Sequence, residues 1–275
     1  MRLASVEGAT GPTWGYLEGD DLIECADTRH PSLAAALEAA DGASFVPEGH
    51  RRMPAGTFRW LPPLPAARVF CVGLNYAAHI REMGRPLPTF PAIFTRDPVS
   101  FTAHEAPLRV PRESETLDYE GELALIIGRS GRRIARVSAL DHVLGWACLN
   151  DGSVREWQNH TTQFTAGKNF WRSGSWGPWI VTREEAPAVA DMTLVTTVNR
   201  EERQRAALSD LVFDVPALLS YLSTILPLRA GDVIATGTPG GVGAGFEPKR
   251  WLRPRDQVQV RIDGVGTLTN EVEPD

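Results

Sequence analysis

The sequence predicts a β-rich α+β fold. Its apolar runs are mostly short and bounded by glycine or proline, which is typical of strands. Helical patterns are few and brief, and the clearest lie at residues 33–40, 154–160 and 215–224. Strands that are not separated by regular helices favour a β-rich α+β domain over a doubly wound parallel sheet.

Composition limits the classes of function. With 275 residues, 43% of them hydrophobic and 23% charged, the chain has enough apolar residues for a sizeable globular core. A net charge of −6 argues against partners such as nucleic acid or an anionic membrane surface. No apolar run approaches the roughly 20 residues that span a bilayer, and the start of the chain does not look like a signal peptide. The cysteines lack metal-binding spacing, so a reducing, cytoplasmic location is expected.

The first part of the chain predicts a small N-terminal α/β domain, residues 1–62. Strands are expected near residues 2–6, 13–17 and 22–25, followed by a helix over residues 33–40 that Ser32 caps. The proline-rich stretch at residues 61–65 is a stiff connector. A larger domain is predicted over residues 66–275.

The larger domain is predicted to consist mainly of strands. They are predicted at residues 68–73, 92–95, 123–127, 143–149, 179–181, 194–198, 233–236, 258–262 and 267–272. Residues 86–111 carry six prolines and predict a long loop, which in a compact domain is often a lid.

Three carboxylates indicate a metal site. Glu120 and Glu122 stand two apart at the start of an apolar strand and should share a face, and Asp151 follows a second apolar run. Carboxylates brought together repel one another unless a cation lies between them. Oxygen ligands without His or Cys suit Mg²⁺ first, then Mn²⁺ or Ca²⁺. An E-x-E pattern taken alone is equally typical of the exposed face of an edge strand.

A short helix is predicted between Asn75, as its N-cap, and Gly84. It puts His79 and Glu82 on one face, a pairing that suits a general base. In isolation, the same spacing more often marks a surface pair.

Two further stretches carry unusual chemistry. Lys168 lies in an apolar and aromatic setting, where an ammonium group needs an anionic partner. The run GDVIATGTPGGVGAG leads from a strand into a glycine-rich turn, which suits either a small anion or a simple tight turn.

The wording and order of these motifs resemble the fumarylacetoacetate hydrolase family, in its bacterial two-domain form. The matching pieces are GLNYAAHIREMG, LDYEGELALIIG, LNDGSVREWQ, the Gly167-Lys168 pair, GPWIVT and GDVIATGTPGGVG. The resemblance implies a mixed-β roll as the catalytic domain, a homodimer, and a divalent cation at Glu120, Glu122 and Asp151. It assigns catalysis to Lys168 and to His79 and Glu82 on a mobile lid, and substrate binding to Tyr76, Arg155, Gln158, Gly237 and Thr238.

The sequence also departs from the family pattern. Many members have K-S-F-D where Lys168 is followed here by Asn169-Phe170-Trp171, and F-x-K where this chain has Phe94-Thr95-Arg96. An indole in place of a carboxylate predicts that Trp171 adds an apolar wall and favours a bulky or apolar acyl group on the substrate.

The resemblance implies a metal-dependent hydrolase that cleaves a C–C bond in a 2,4-diketo acid of the acylpyruvate or fumarylpyruvate type, as in aromatic catabolism. The cation would stabilise the enolate that is released, and His79 would take a proton from the attacking water. A decarboxylase, isomerase or hydratase of a 2-oxo acid or diacid would use the same metal site. A binding protein for 2-oxo acids without catalytic activity is the third alternative.

Overall fold

A computed structural model describes residues 1–42 and 45–275 and confirms the β-rich α+β class. The strands are β1 (Arg2–Gly8), β2 (Gly11–Glu18), β3 (Asp21–Glu24), β4 (Arg51–Met53), β5 (Arg59–Trp60), β6 (Val69–Gly73), β7 (Ala92–Arg96), β8 (Phe101–Thr102), β9 (Leu108–Val110), β10 (Leu117–Asp118), β11 (Gly121–Ile127), β12 (Val143–Asn150), β13 (Ser153–Val154), β14 (Gly174–Thr182), β15 (Thr193–Val198), β16 (Glu201–Ala207), β17 (Val233–Ala235), β18 (Gln257–Ile262) and β19 (Gly266–Pro274). The α-helices are α1 (Leu33–Ala40), α2 (Ala77–Glu82), α3 (Arg155–Gln158), α4 (Thr165–Lys168) and α5 (Val215–Ile225).

The strands form mixed sheets. Over the described ranges, the large sheet has the order β4-β3-β2-β1-β14-β12-β11-β17-β6-β7, with β5 added to β1 and β8 added to β14. The β17–β6 and β14–β8 pairs are parallel, and the β11–β12 and β11–β17 pairs are antiparallel. A second sheet has the order β16-β15-β18-β19-β9, and β10 pairs with β13.

The N-terminal strands are continuous with the large sheet. Strand β1 pairs with β14, so that Leu3 lies opposite Ile180. The division into domains at residues 62–66 stays a prediction, because a shared sheet does not mark where a folding unit ends.

Strand β11 is buried along its whole length because the sheet is covered on both faces. Leu123 and Leu125 face a core that includes α5 and the second sheet, whereas Ala124 and Ile126 face a core that includes α1. Side chains that alternate between two apolar layers explain why this strand reads as a continuous apolar run.

The longer helices follow their sequence signals. Ser32 Oγ accepts a hydrogen bond from the Ala35 backbone N–H at the start of α1, and Asp214 caps α5 in the same way. Helix α3 is shorter than predicted and covers only Arg155–Gln158. The predicted strand at residues 92–95 is β7, but the stretch predicted as a loop around it also contains β8 and β9. Strand β16 was not predicted, because its sequence EERQRAA is polar.

The strand directions bring the ends of several strands together at one end of the large sheet's central strands. Strands β6 and β17 run parallel, and both run antiparallel to β11, as does β12. Therefore β6, β12 and β17 end where β11 begins, and the segments that follow them meet there. Among the described helices, none has the length and apolar character needed to cross a membrane.

Candidate active site

The three predicted carboxylates meet at this end of the central strands. Glu120 immediately precedes β11, Glu122 is the second residue of β11, and Asp151 follows β12. All three side chains are buried, and one oxygen from each lies within 4.8 Å of the others. The sequence-predicted acidic cluster therefore forms.

Glu120 and Asp151 share Lys168 as a cationic partner, and Glu120 also pairs with Arg155. Lys168, at the end of α4, places Nζ 2.7 Å from Glu120 Oε2 and 2.7 Å from Asp151 Oδ2, and Arg155 Nη1 lies 2.6 Å from Glu120 Oε1. Burial alone would raise the pKa of Glu120, but the charges of Lys168 and Arg155 outweigh it and lower that pKa to about 2. Burial opposes the charge on Lys168, yet Asp151 and Glu120 outweigh it and raise the lysine pKa.

Glu122 is different. Its Oε2 accepts the backbone N–H of Gly237 at 2.8 Å, and no lysine or arginine of the described residues forms an ion pair with it. Burial, together with the charges of Asp151 and Glu120, raises the pKa of Glu122 well above its usual value. A buried all-oxygen cluster with one carboxylate lacking a cationic partner fits a hard divalent cation.

Arg96 fixes Asp151 from the opposite side. Its Nη1 donates to Asp151 Oδ1 at 2.7 Å and to the Gly152 carbonyl at 2.9 Å. Its other nitrogens donate to Ser100 and Ser173. Arg96 therefore gives Asp151 one hydrogen bond from Nη1, while its Nε and Nη2 anchor the planar guanidinium to Ser100 and Ser173.

His79 and Glu82 form the predicted pair. They lie on α2, with His79 Nδ1 3.2 Å from Glu82 Oε2, and His79 is buried. Glu82 Oε1 also accepts the Gly241 backbone N–H at 2.9 Å. The helix is therefore closed over the site in this structure, and its opening as a lid stays a prediction.

The predicted N-cap of α2 is wrong. Tyr76, not Asn75, occupies the cap position, and no side chain caps the helix. The Asn75 amide instead donates to the carbonyls of Phe213 and Thr236 and accepts the Phe213 N–H. This side chain ties the start of the α2 segment to β17 through contacts that are distant in sequence.

A small cavity of about 50 Å³ opens beside the carboxylates. It is lined by Val72, Gly73, Leu74, His79, Met83, Arg85, Phe94, Glu120, Arg155, Gln158, Asn159, Phe164, Lys168 and Thr238. Arg155 and Gln158 share a face of α3 as expected, with Arg155 Nη1 2.9 Å from Gln158 Oε1. Phe94 and Phe164 meet edge to face at 5.7 Å and supply an apolar wall that was not predicted.

Other predicted site residues are placed differently. Tyr76 is buried in the core and does not line the cavity, and the Gly237 N–H is used by Glu122. Thr238 lines the cavity, but its hydroxyl donates to the Gly121 carbonyl and accepts from Gln204. Trp171 is 47% exposed outside the cavity, where the guanidinium groups of Arg109 and Arg172 lie over its ring. The structure therefore does not support Trp171 as a wall for the substrate.

Asp118 was also missed. It is buried and accepts hydrogen bonds from Arg155 and from the turn after β17. The sequence signal was present in the run LDYEGE, where a third acid precedes the E-x-E pair, but nothing in that run shows which partner it meets.

Comparison with known proteins identifies the family. The model of the fumarylacetoacetate (FAA) hydrolase C-terminal region matches residues 68–273. The chain belongs to the fumarylacetoacetate hydrolase family. Its β-rich fold with mixed sheets is the fold of that family.

Similar proteins have several activities in their names. Oxaloacetate tautomerase YisK of Bacillus subtilis (strain 168) is 41% identical over 213 residues, which cover 76% of this chain and 71% of that protein. A fumarylacetoacetate hydrolase from Exiguobacterium antarcticum is 35% identical, with a TM-score of 0.88 and 100% of each chain covered. A 2-hydroxyhepta-2,4-diene-1,7-dioate isomerase from Mycobacterium marinum is 32% identical, with a TM-score of 0.83 over 100% of this chain and 99% of that one.

Proposed function

We propose that this member of the fumarylacetoacetate hydrolase family is a divalent-metal-dependent isomerase that interconverts the keto and enol forms of a small 2-oxo acid. The observation that carries the proposal is the buried acidic cluster, which adjoins a cavity that also holds Arg155, Lys168 and His79. The names of two similar proteins, a tautomerase and an isomerase, support this reaction class. The small cavity supports a compact substrate such as oxaloacetate.

Glu120, Glu122 and Asp151 would hold the cation, with Mg²⁺ as the first choice for an all-carboxylate set. When bound, such a cation polarises the carbonyl group of a 2-oxo acid and stabilises negative charge on its oxygen.

Arg155 is the group that binds the substrate carboxylate. Its Nε and Nη1 are held by Asp118, Glu120 and Gln158, whereas its buried Nη2 has no hydrogen-bond partner among the described residues. A buried guanidinium nitrogen without a partner is costly, and a carboxylate oxygen in the cavity would satisfy it.

His79 would move the proton at the carbon next to the carbonyl. Glu82 holds Nδ1, which leaves Nε2 as the ring atom that exchanges the proton. Lys168 keeps a positive charge beside Glu120 and Asp151, so that an anionic substrate enters without net repulsion.

The test follows the conversion of enol oxaloacetate to its keto form, and the exchange of its C3 protons in D₂O by NMR, with Mg²⁺ and with excess EDTA. We expect conversion and exchange well above the rate with Mg²⁺ alone, and we expect EDTA to abolish the difference. Rates equal to those of free Mg²⁺ for oxaloacetate and for related 2-oxo diacids would contradict the proposal.

Hydrolysis of a C–C bond in a 2,4-diketo acid is the second candidate, because the His79–Glu82 pair is also suited to activating water. Incubation of an acylpyruvate in H₂¹⁸O distinguishes the two reactions. Hydrolysis puts ¹⁸O into the carboxylic acid product and releases pyruvate, whereas isomerisation leaves the carbon skeleton intact.

A further inference from the structure

Asp118 is a buried carboxylate that is surrounded by donors. Its side chain is 0% exposed. Oδ1 accepts the backbone N–H groups of Tyr119 at 2.9 Å and Gly243 at 2.7 Å. Oδ2 accepts the backbone N–H of Ala244 at 2.9 Å and Nε of Arg155 at 2.8 Å. One side chain thus holds both the cavity arginine and a turn of the chain that follows β17.

The same turn holds Glu82. Gly241 donates its backbone N–H to Glu82 Oε1 at 2.9 Å, and the Tyr119 hydroxyl donates to the Gly241 carbonyl at 2.9 Å. The other oxygen of Glu82 faces His79 Nδ1. Hydrogen bonds therefore connect Arg155 with His79 through Asp118, residues 241–244 and Glu82.

Two glycines at this turn lie so close to Asp118 and Glu82 that a side chain would not fit there. A Cβ atom on Gly245 would lie 2.1 Å from Glu82 Oε1, and one on Gly243 would lie 2.6 Å from Asp118 Oδ1 and 2.3 Å from the Arg250 carbonyl oxygen. A Cβ atom on Gly240 would meet nothing closer than 3.6 Å. Substitution of Gly245 therefore strains the contact with Glu82, whereas substitution of Gly240 does not.

We propose that Asp118 is a positioning residue that couples the binding of a substrate carboxylate at Arg155 to the closure of α2 over the cavity. The inference rests on the proposed function only for the role of Arg155 as the carboxylate-binding group. An anion on Nη2 fixes the guanidinium, the guanidinium fixes Asp118, and Asp118 fixes the turn against which Glu82 docks. A bound carboxylate thus stabilises the closed position of α2 that the structure shows, with Glu82 docked on the turn and His79 beside the cavity.

The experiment uses oxalate, a small dianion that resembles the enolate of a 2-oxo acid, with Mg²⁺ present. Calorimetry measures its affinity, and hydrogen–deuterium exchange measures the protection of residues 77–83. In the wild type we expect oxalate to slow exchange in this segment by about tenfold, which corresponds to about 1.4 kcal/mol of added local stability.

Asp118→Asn tests the connection directly. An asparagine presents one acceptor and an NH₂ group to four donors, so at least one pair faces donor to donor. We expect oxalate affinity to fall by roughly 10- to 100-fold, the scale of a hydrogen bond to a charged group, and the protection by oxalate to be lost. Mn²⁺ affinity should stay within about twofold, whereas a general loss of structure would lower it and increase exchange throughout the chain.

Gly245→Ala tests the end of the connection at Glu82. It should keep oxalate affinity and lose the protection of residues 77–83, and Gly240→Ala, the matched control, should keep both. If Asp118→Asn does not fold, Gly243→Ala takes its place, because it displaces the turn from Asp118 without removing the charge.

The proposal is overturned if oxalate protects residues 77–83 equally in the wild type and in Asp118→Asn or its replacement, if it does not protect them in the wild type, or if Gly245→Ala behaves like Gly240→Ala. None of these readouts needs turnover. A protein that fails every isomerisation assay but shows this pattern therefore contradicts the proposed reaction and not the coupling.

Discussion

Lys168 Nζ lies 2.7 Å from Asp151 Oδ2, while Oδ1 of the same carboxylate accepts a hydrogen bond from Arg96 at 2.7 Å. Both oxygens of Asp151 therefore have a cationic partner. Glu122, its neighbour in the acidic cluster, has none among the described residues. The carboxylates are thus not equivalent, and Glu122 is the one whose charge depends most on a bound cation.

Glu122→Gln should abolish the binding of Mg²⁺ and the activity while the fold is kept. The amide has nearly the shape of the carboxylate but removes its charge, and with it the repulsion from Glu120 and Asp151. At a metal concentration 100 times the dissociation constant, the wild type should gain about 2.7 kcal/mol, and the variant nothing. Thermal unfolding with Mg²⁺ and with EDTA measures this, with exposed Glu38→Gln as the control. A variant that responds to Mg²⁺ like the wild type would disprove the assignment.

The stability of the metal-free protein should fall as the pH rises above the usual pKa of a glutamate towards the raised folded-state pKa of Glu122. The folded-state pKa of Glu122 is raised, so its contribution is present below the unfolded pKa and is lost as the pH rises through the folded one. Glu120 has the opposite sign, but its folded pKa is about 2, so its contribution is lost only in more acidic solution. Urea unfolding in EDTA should show a slope of up to about 1.4 kcal/mol per pH unit that Glu122→Gln removes. A slope that survives in the variant would assign the effect to another group.

Arg96→Met should destabilise the protein by about 3–5 kcal/mol, because it leaves Asp151 buried without this partner. Arg96→Lys keeps the charge but loses the fork, and should cost about 1–3 kcal/mol. Urea unfolding compares both with Arg136→Met, an exposed ion pair with Asp214 whose loss should cost no more than about 1 kcal/mol. If all three variants unfold alike, the orienting role of Arg96 is wrong.

His79→Ala should lower kcat for isomerisation or hydrolysis by about 10²- to 10⁴-fold, because the group that moves the proton is removed. It should spare decarboxylation of oxaloacetate, which needs neither an activated water nor the removal of a proton from carbon. Steady-state kinetics on both reactions measures this, with Mn²⁺ affinity as the control for the metal site. Unchanged kcat for isomerisation and hydrolysis would rule out the catalytic role.

Trp171→Ala should leave kcat/KM within about twofold, because the indole lies over arginines outside the cavity. Phe94→Ala, which removes part of the cavity wall, should change it more. Kinetics on substrates with small and bulky tails compares the two.

The sequence predicted what local patterns control. The strands near residues 123–127 and 143–149 were recognised because apolar runs between turn signals have few other interpretations. Glu120, Glu122 and Asp151 could be grouped because they stand at the ends of such strands, and the family motifs placed His79 and Lys168.

What the sequence could not predict depends on contacts between distant residues. Asn75 looks like a helix cap, but its amide meets Phe213 and Thr236, 138 and 161 positions away. Trp171 follows an active-site lysine closely, yet Lys168 ends a helix and the chain turns outward within three residues. Neither outcome has a local signature, because the partner that decides it lies elsewhere in the chain.

The pairing of β1 with β14 has a practical consequence for expression. A fragment that begins near residue 66 would present the bare side of β14 around Ile180 and Val181 to solvent, together with apolar surface that Leu3 and Trp14 now cover. Unpaired strand edges of this kind recruit other chains. Such a fragment should therefore aggregate, even though it would contain every residue that contacts the cavity.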